Sequence, residues 1–246
     1  MKKFLRGSII ILFCLCLPAT LMAQDYLSEA QALFDQGGVD NLKQAGDLYL
    51  KYIEANPNSY EAHWKAAQAY RNYGDEANKA QVEGWKGICK EYGNKAMALA
   101  EKATEIEPDK VEGYYFYGLS VAVYSDGTGI MTAIREGLKG KTQSSLEKAY
   151  EIDKMYNDGG PMIALGRFWF VLPGIAGRDV DKSVELLREF QQNFPDDPEG
   201  QIYLAESLMK KSKKQFGDEA KGLLEKAVQN GDADQKAKAE KLLKKL

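Results

Sequence analysis

His63 is the only histidine in the 246-residue chain, and of its three cysteines only Cys89 lies beyond the first 16 residues. A structural zinc site takes four Cys or His ligands, so this pair cannot build one. Neither an HExxH run nor a cysteine pair at ligand spacing occurs. Nothing in sequence near Cys89 would depress its thiol pKa, so it reads as a small buried filler and not as a nucleophile. His63 reads as a core or rim residue. Ser125-Asp126-Gly127-Thr128-Gly129 has the glycines of a phosphate cradle, but no Lys-Ser or Lys-Thr follows it and no strand precedes it. Asp75-Glu76 and Asp196-Asp197 are placed at helix junctions, where acidic side chains favour a helix start. No triad, metal set or cofactor motif remains, and the expectation is a non-enzymatic protein without a cofactor. Two arginines do point to chemistry. Arg167 interrupts the apolar run IALGRFWF, where a cation demands solvent or a partner. Like Arg71, it offers a fork that fits a carboxylate. The chemistry implied is recognition.

Composition narrows the partners. With 44% hydrophobic and 28% charged residues the chain has the make-up of ordinary globular material. A formal net charge of −3 leaves no basic stripe for a phosphate backbone, so nucleic acid is not expected.

The first 23 residues differ from the rest. Lys2, Lys3 and Arg6 precede an apolar run from Ser8 to Leu17, and Ala23 stands before Gln24, the layout of a secretory signal peptide. The expected organisation is a signal over 1–23 and one helical domain over 24–246, in a periplasmic or otherwise extracytoplasmic protein. An uncleaved anchor is the alternative, although the run is short of the roughly 20 apolar residues that span a bilayer. After cleavage no stable membrane insertion is expected. Loss of the three basic residues takes the net charge from −3 to −6, and Cys89 is left with no intramolecular disulfide partner.

The elements that must position the arginines are paired helices. Ala66, Ala67 and Tyr70, followed by Ala96, Ala100, Ala103 and Pro108, match the small-residue and turn positions of the tetratricopeptide repeat, a two-helix unit of about 34 residues. The interval from Tyr70 to Ala96 is 26 residues against about nine in the repeat, so the unit is lengthened. Similar units run over residues 25–57, after Pro108, from Gly159-Gly160-Pro161, and through Leu204, Ala205 and Leu208. Gly118 and Gly166 fall where a side chain would hold the partner helix away. Asp232 is placed as the N-cap of a lysine-rich terminal helix with Leu242, Leu243 and Leu246 as its apolar stripe. The fold class is therefore all-α: a solenoid of about five helix pairs with insertions and a C-terminal capping helix. The irregular stretches are expected at 71–95, 122–141 and 170–182. Within the middle one, residues 125–129 are expected as a loop and IMTAIREGL as a short extra helix. Insertions of this kind project from one edge, where they enlarge or roof a groove.

Successive first helices should turn one face toward that groove. The candidate site is Trp64, Gln68 and Arg71 from the second unit, Tyr115 from the third, and Ile163, Arg167 and Phe170 from the fourth. Rings would supply apolar contact and guanidinium groups would orient an anion. The competing reading makes these rings ordinary packing between helices.

GIMTAIREGLKGK at Gly129 to Lys141 and LPGIAGRD at Leu172 to Asp179 resemble the TRAP-transporter-associated TatT family of exported repeat proteins. Pro173, Gly174 and Gly177 carry the loop match, Arg178 stands where that loop often has Gly, and no lipobox precedes Cys14 or Cys16. The resemblance implies a periplasmic, non-enzymatic binding protein that partners a substrate-binding protein and takes a small amphipathic organic acid. A general peptide-binding or envelope-assembly scaffold is the alternative.

Overall fold

The computed structural model describes residues 17–246, and the described residues are helical throughout, with no strand among them. The chain winds as α1 (Leu17–Gln36) and α2 (Val39–Ala55), α3 (Tyr60–Lys79) and α4 (Trp85–Ile106), then α5 (Val111–Thr128), α6 (Ile130–Arg135) and α7 (Leu138–Asp153). It continues as α8 (Tyr156–Val171), α9 (Val180–Asn193), α10 (Pro198–Asn230) and α11 (Ala233–Leu243). Each helix packs on its successor in a pair, and the first helices of adjoining units also touch, α3 on α5, α5 on α8 and α8 on α10. This is the stacked two-helix repeat that the spacing of small residues predicts. Of the segment 1–23 read as an export signal, residues 1–16 lie outside the described residues. No described helix is long and apolar enough to cross a membrane.

Helix ends follow local chemistry. Ser59, Asp179 and Asp197 cap α3, α9 and α10 through their side chains, and Asp232 with Gln235 forms a capping box on α11. The regular part of α8 begins only at Gly160-Pro161, because Asn157, Asp158 and Gly159 are left-handed with φ of 49°, 54° and 77°. α10 is broken at Ser212, whose extended backbone divides it into the two helices of the fifth unit.

The pairing surfaces are small residues against large ones. A Cβ at Gly166 would stand 2.8 Å from Leu187 Cγ, and one at Gly118 would meet Leu146. Fully buried Tyr49, Tyr70, Leu187 and Leu208 fill the space between helices, the two leucines each worth about 1.5–3 kcal/mol of transfer free energy. Cys89 is buried and donates its thiol hydrogen to Gly74 O at 3.2 Å.

Several local expectations are corrected. Residues 125–128 are the last turn of α5, since Ser125 and Thr128 hydroxyls bond back to Val121 and Tyr124 carbonyls and the break falls at Gly129 with φ 87°. The lengthened second unit is no irregular spacer: α3 runs 20 residues and α4 runs 22, because their added turns pack Cys89 against Gly74 and Gly93 against Tyr124. Asp75 and Glu76 consequently lie inside α3, where Asp75 pairs with Arg71 at 3.5 Å and Lys79 at 3.1 Å. Leu246 lies beyond the end of α11 and is 43% exposed, so only Leu242 of the expected stripe is buried.

Candidate functional site

A cavity of about 500 Å³ lies between α5 and α8. Leu119, Ala122 and Ser125 of α5 form one wall and Ala164, Arg167, Phe168 and Val171 of α8 the other. Its roof is α6, through Ile130, Ala133 and Ile134, and its end is the start of α7, through Lys139 and Thr142. Tyr203 of α10 closes the far edge. The sequence builds this roof locally: Gly129, with φ 87° and ψ 139°, and Gly137, with φ 80°, turn the chain sharply on either side of six helical residues. Tyr124 then ties the roof down by donating its hydroxyl to Glu136 Oε2 at 2.8 Å.

The cavity is mostly apolar. Its hydroxyls are occupied, Ser125 with Val121 O at 2.7 Å and Thr142 with Leu138 O at 2.7 Å. Arg167 donates Nη1 to Glu206 Oε2 at 2.8 Å. Its guanidinium lies 4.9 Å from the Phe170 ring centre and 4.5 Å from that of Tyr203. Lys238 stacks on Tyr203 at 4.5 Å and also reaches Glu206 at 3.4 Å. Burial of Lys238 pushes its pKa below the usual lysine range, although Glu206 opposes the shift. Lys139 is different: its side chain is half-buried at the cavity end, and it makes no ion pair among the described residues.

Of the seven residues singled out by sequence, only Arg167 is among those that line this cavity. Arg167 lines the cavity and Phe170 lies against its guanidinium. Trp64 is half-buried and stacks on Phe116, ring centres 5.9 Å apart and 4° from parallel. Tyr115 is 6% exposed and packs edge-on against Tyr156 at 5.6 Å. Ile163 packs against the core formed by α9 and α10. Arg71 is held by Asn72 and Asp75, and Gln68 is half-buried on α3 away from the cavity. Leu119 and Ala122, further along α5 than Tyr115, do line the cavity. Sequence reasoning passed over Lys139, Ile134, Phe168 and Tyr203. The available signal was the short apolar helix between two glycines, whose far side had to cover something.

A sequence model of the family described as Regulator of microtubule dynamics protein 1-3 matches residues 26–172. The match runs from α1 to the end of α8 and so takes in every cavity wall except Tyr203. No curated protein matches the chain. Among solved structures, TTC0263, a thermophilic TPR protein of Thermus thermophilus, is similar with a TM-score of 0.60 and 18% identity, over 90% of this chain and 98% of that one. Pseudomonas aeruginosa pilF has a TM-score of 0.58 and 14% identity, over 87% of this chain and 78% of its own. YrrB, a TPR protein with an unusual peptide-binding site, has a TM-score of 0.52 and 16% identity, over 89% of this chain and 92% of its own. At these identities the likeness is one of fold, and the fold is that of a tetratricopeptide-type helical scaffold.

Proposed function

We propose, for a chain that belongs to the family described as Regulator of microtubule dynamics protein 1-3, a non-enzymatic binding role centred on the cavity between α5 and α8. The cavity takes a small amphipathic organic acid, its carboxylate against Lys139 and its apolar body against Leu119, Ile134, Leu146 and Phe168. The observation that carries this reading is a cavity of about 500 Å³ with mostly apolar walls, in which Lys139 makes no ion pair among the described residues while the lining carboxylate of Asp126 accepts from Asn78. That volume lies within the usual range of small-molecule sites, and a few polar groups on apolar walls are what fix a ligand's orientation. The microtubule role in the family description stays with that description.

The same proposal has the protein exported by its first 23 residues and docked, through the repeat surface, on a periplasmic substrate-binding protein of a TRAP-type transporter. The support is the charged, apolar and small-residue order of that segment and the resemblance of the α6 and α8–α9 segments to the TatT proteins.

Native mass spectrometry of protein taken from the cell envelope, followed by calorimetry with medium-chain fatty acids and aryl acetates, tests the binding role. Wild type should bind such an acid, and Lys139→Ala should lose about 1.5–3 kcal/mol, the usual worth of a hydrogen bond to a charged group. Equal affinities would remove Lys139 from the site, and a co-purifying peptide in place of an acid would favour the scaffold reading. N-terminal sequencing of the same material tests export: a chain starting near Gln24 supports it, and retention of Met1 opposes it.

A further inference from the structure

The connection from α8 to α9 reads Leu172-Pro173-Gly174-Ile175-Ala176-Gly177, six residues without a charge in a chain that is 28% charged. Its ends are rooted in the protein: Leu172 is buried and Ala176 packs in one cluster with Ile134 of α6. Between them Ile175 is 88% exposed, against 45% for Met155, the next among the large apolar side chains of the described residues. Val171, at 37%, leads into it from the cavity rim. The tip is an ordered turn, closed by Gly177 N donating to Gly174 O at 3.1 Å and by Arg178 Nε donating to Leu172 O at 2.7 Å. A turn that is hydrogen-bonded at its base and holds an isoleucine into water has no packing reason within the monomer.

The charge around the tip runs against that of the whole protein. Lys139 Nζ lies beside Gly177, 3.6 Å from where a Cβ would stand. Arg178 follows in the chain, and Arg135 lies on α6 next to the Ile134 that packs with Ala176. None of the three makes an ion pair among the described residues; the two arginines bond only to backbone carbonyls. Of the adjoining acids, Glu136 accepts from the Tyr124 hydroxyl and Asp179 from the α9 amide of Lys182; both keep their charge, and neither pairs with these three cations. A chain of net charge −3 thus carries a local cluster of cations without ion pairs around the most exposed large apolar side chain among the described residues.

We propose that this corner docks on an anionic lipid surface, with Ile175 and Val171 entering the headgroup boundary and Arg135, Arg178 and Lys139 meeting lipid phosphates. A protein partner would need a face of about 800 Å² on each side, and a single turn does not offer one. A bilayer accepts one inserted apolar tip when cations beside it add electrostatic attraction. Because Val171 also lies on the cavity rim, docking sets the cavity mouth against the lipid. The docking shares Lys139 with the proposed ligand site, but it rests on Ile175, Arg135 and Arg178, which do not line the cavity.

Hydrogen exchange of the intact protein with vesicles tests this by a local readout that an N-terminal anchor would not imitate. Amides of residues 174–178 should exchange more slowly with vesicles of phosphatidylcholine containing phosphatidylglycerol, and should be unchanged with phosphatidylcholine alone. Ile175→Asp should abolish that protection. Arg135→Gln should weaken vesicle partition about fivefold, the worth of one cation at such a surface. No slowing on anionic vesicles would overturn the proposal, as would equal slowing on neutral ones. Protection that appears with protein concentration in the absence of lipid would also overturn it and assign the tip to a second copy of the chain.

Discussion

Arg167 on α8 and Glu206 on α10 are joined by a 2.8 Å charged hydrogen bond, with the guanidinium between the rings of Phe170 and Tyr203. Their side chains are 30% and 17% exposed, so the pair is neither a surface ion pair worth under about 1 kcal/mol nor a dry one whose breakage costs about 3–5 kcal/mol. Arg167→Ala should therefore destabilise the protein by about 1–2 kcal/mol, tempered because Lys238 remains 3.4 Å from Glu206. Urea denaturation of Arg167→Ala, Glu206→Gln and the double variant gives the coupling, expected at about 1 kcal/mol. Additive effects would show that the two residues do not depend on each other.

Glycines in the helices should separate into two kinds. Gly166→Leu must push Leu187 aside and Gly118→Leu must push Leu146 aside, so each should lose about 1–3 kcal/mol. Gly222 lies on α10 with no atom within 4 Å of an added Cβ, so Gly222→Ala should gain about 0.4–1 kcal/mol through the unfolded chain. Thermal melts that ranked the three alike would show that α8–α9 and α5–α7 are not in close contact at these positions.

Cys89 should be unreactive in the native protein. Burial pushes its thiol up to about 11, and the Asp126 and Asp75 carboxylates add to the shift. Iodoacetamide at pH 8 should label it only after denaturation. Rapid labelling of the folded state would place the thiol at the surface.

The raised thiol also bears on alkaline stability. An unfolded cysteine titrates at about 8.5, so the folded state holds this proton more tightly. The associated stability is fully present below that pH and is lost as pH rises through about 11. Tyr117, raised chiefly by burial, and Tyr150, raised chiefly by its hydrogen bond to Glu189, both stand at about 12 and extend the loss upward. The melting temperature should be flat to about pH 8.5 and then fall, and Cys89→Ala should flatten the fall below about pH 11. A melting temperature that rose with pH in this window would contradict the direction of these shifts.

What could be read from the residues alone was local or periodic. Helix pairs followed from small residues at repeat spacing, Asp232 from its place before a helical run, and the burial of Cys89 from its being a lone thiol in a helical segment. The short helix α6 followed from an apolar period, and the close contacts at Gly118 and Gly166 from their register. These depend on interactions within a few turns of helix, which the order of residues specifies directly. Tertiary packing decided the rest. It put Tyr115 into the core and stacked Trp64 on Phe116, gave Arg167 a partner 39 residues away, and assembled one cavity from α5, α6, α7, α8 and α10. The reason is geometric: the spacing of apolar residues marks the face a helix buries, whereas the side chain that face meets depends on how successive pairs rotate as they stack.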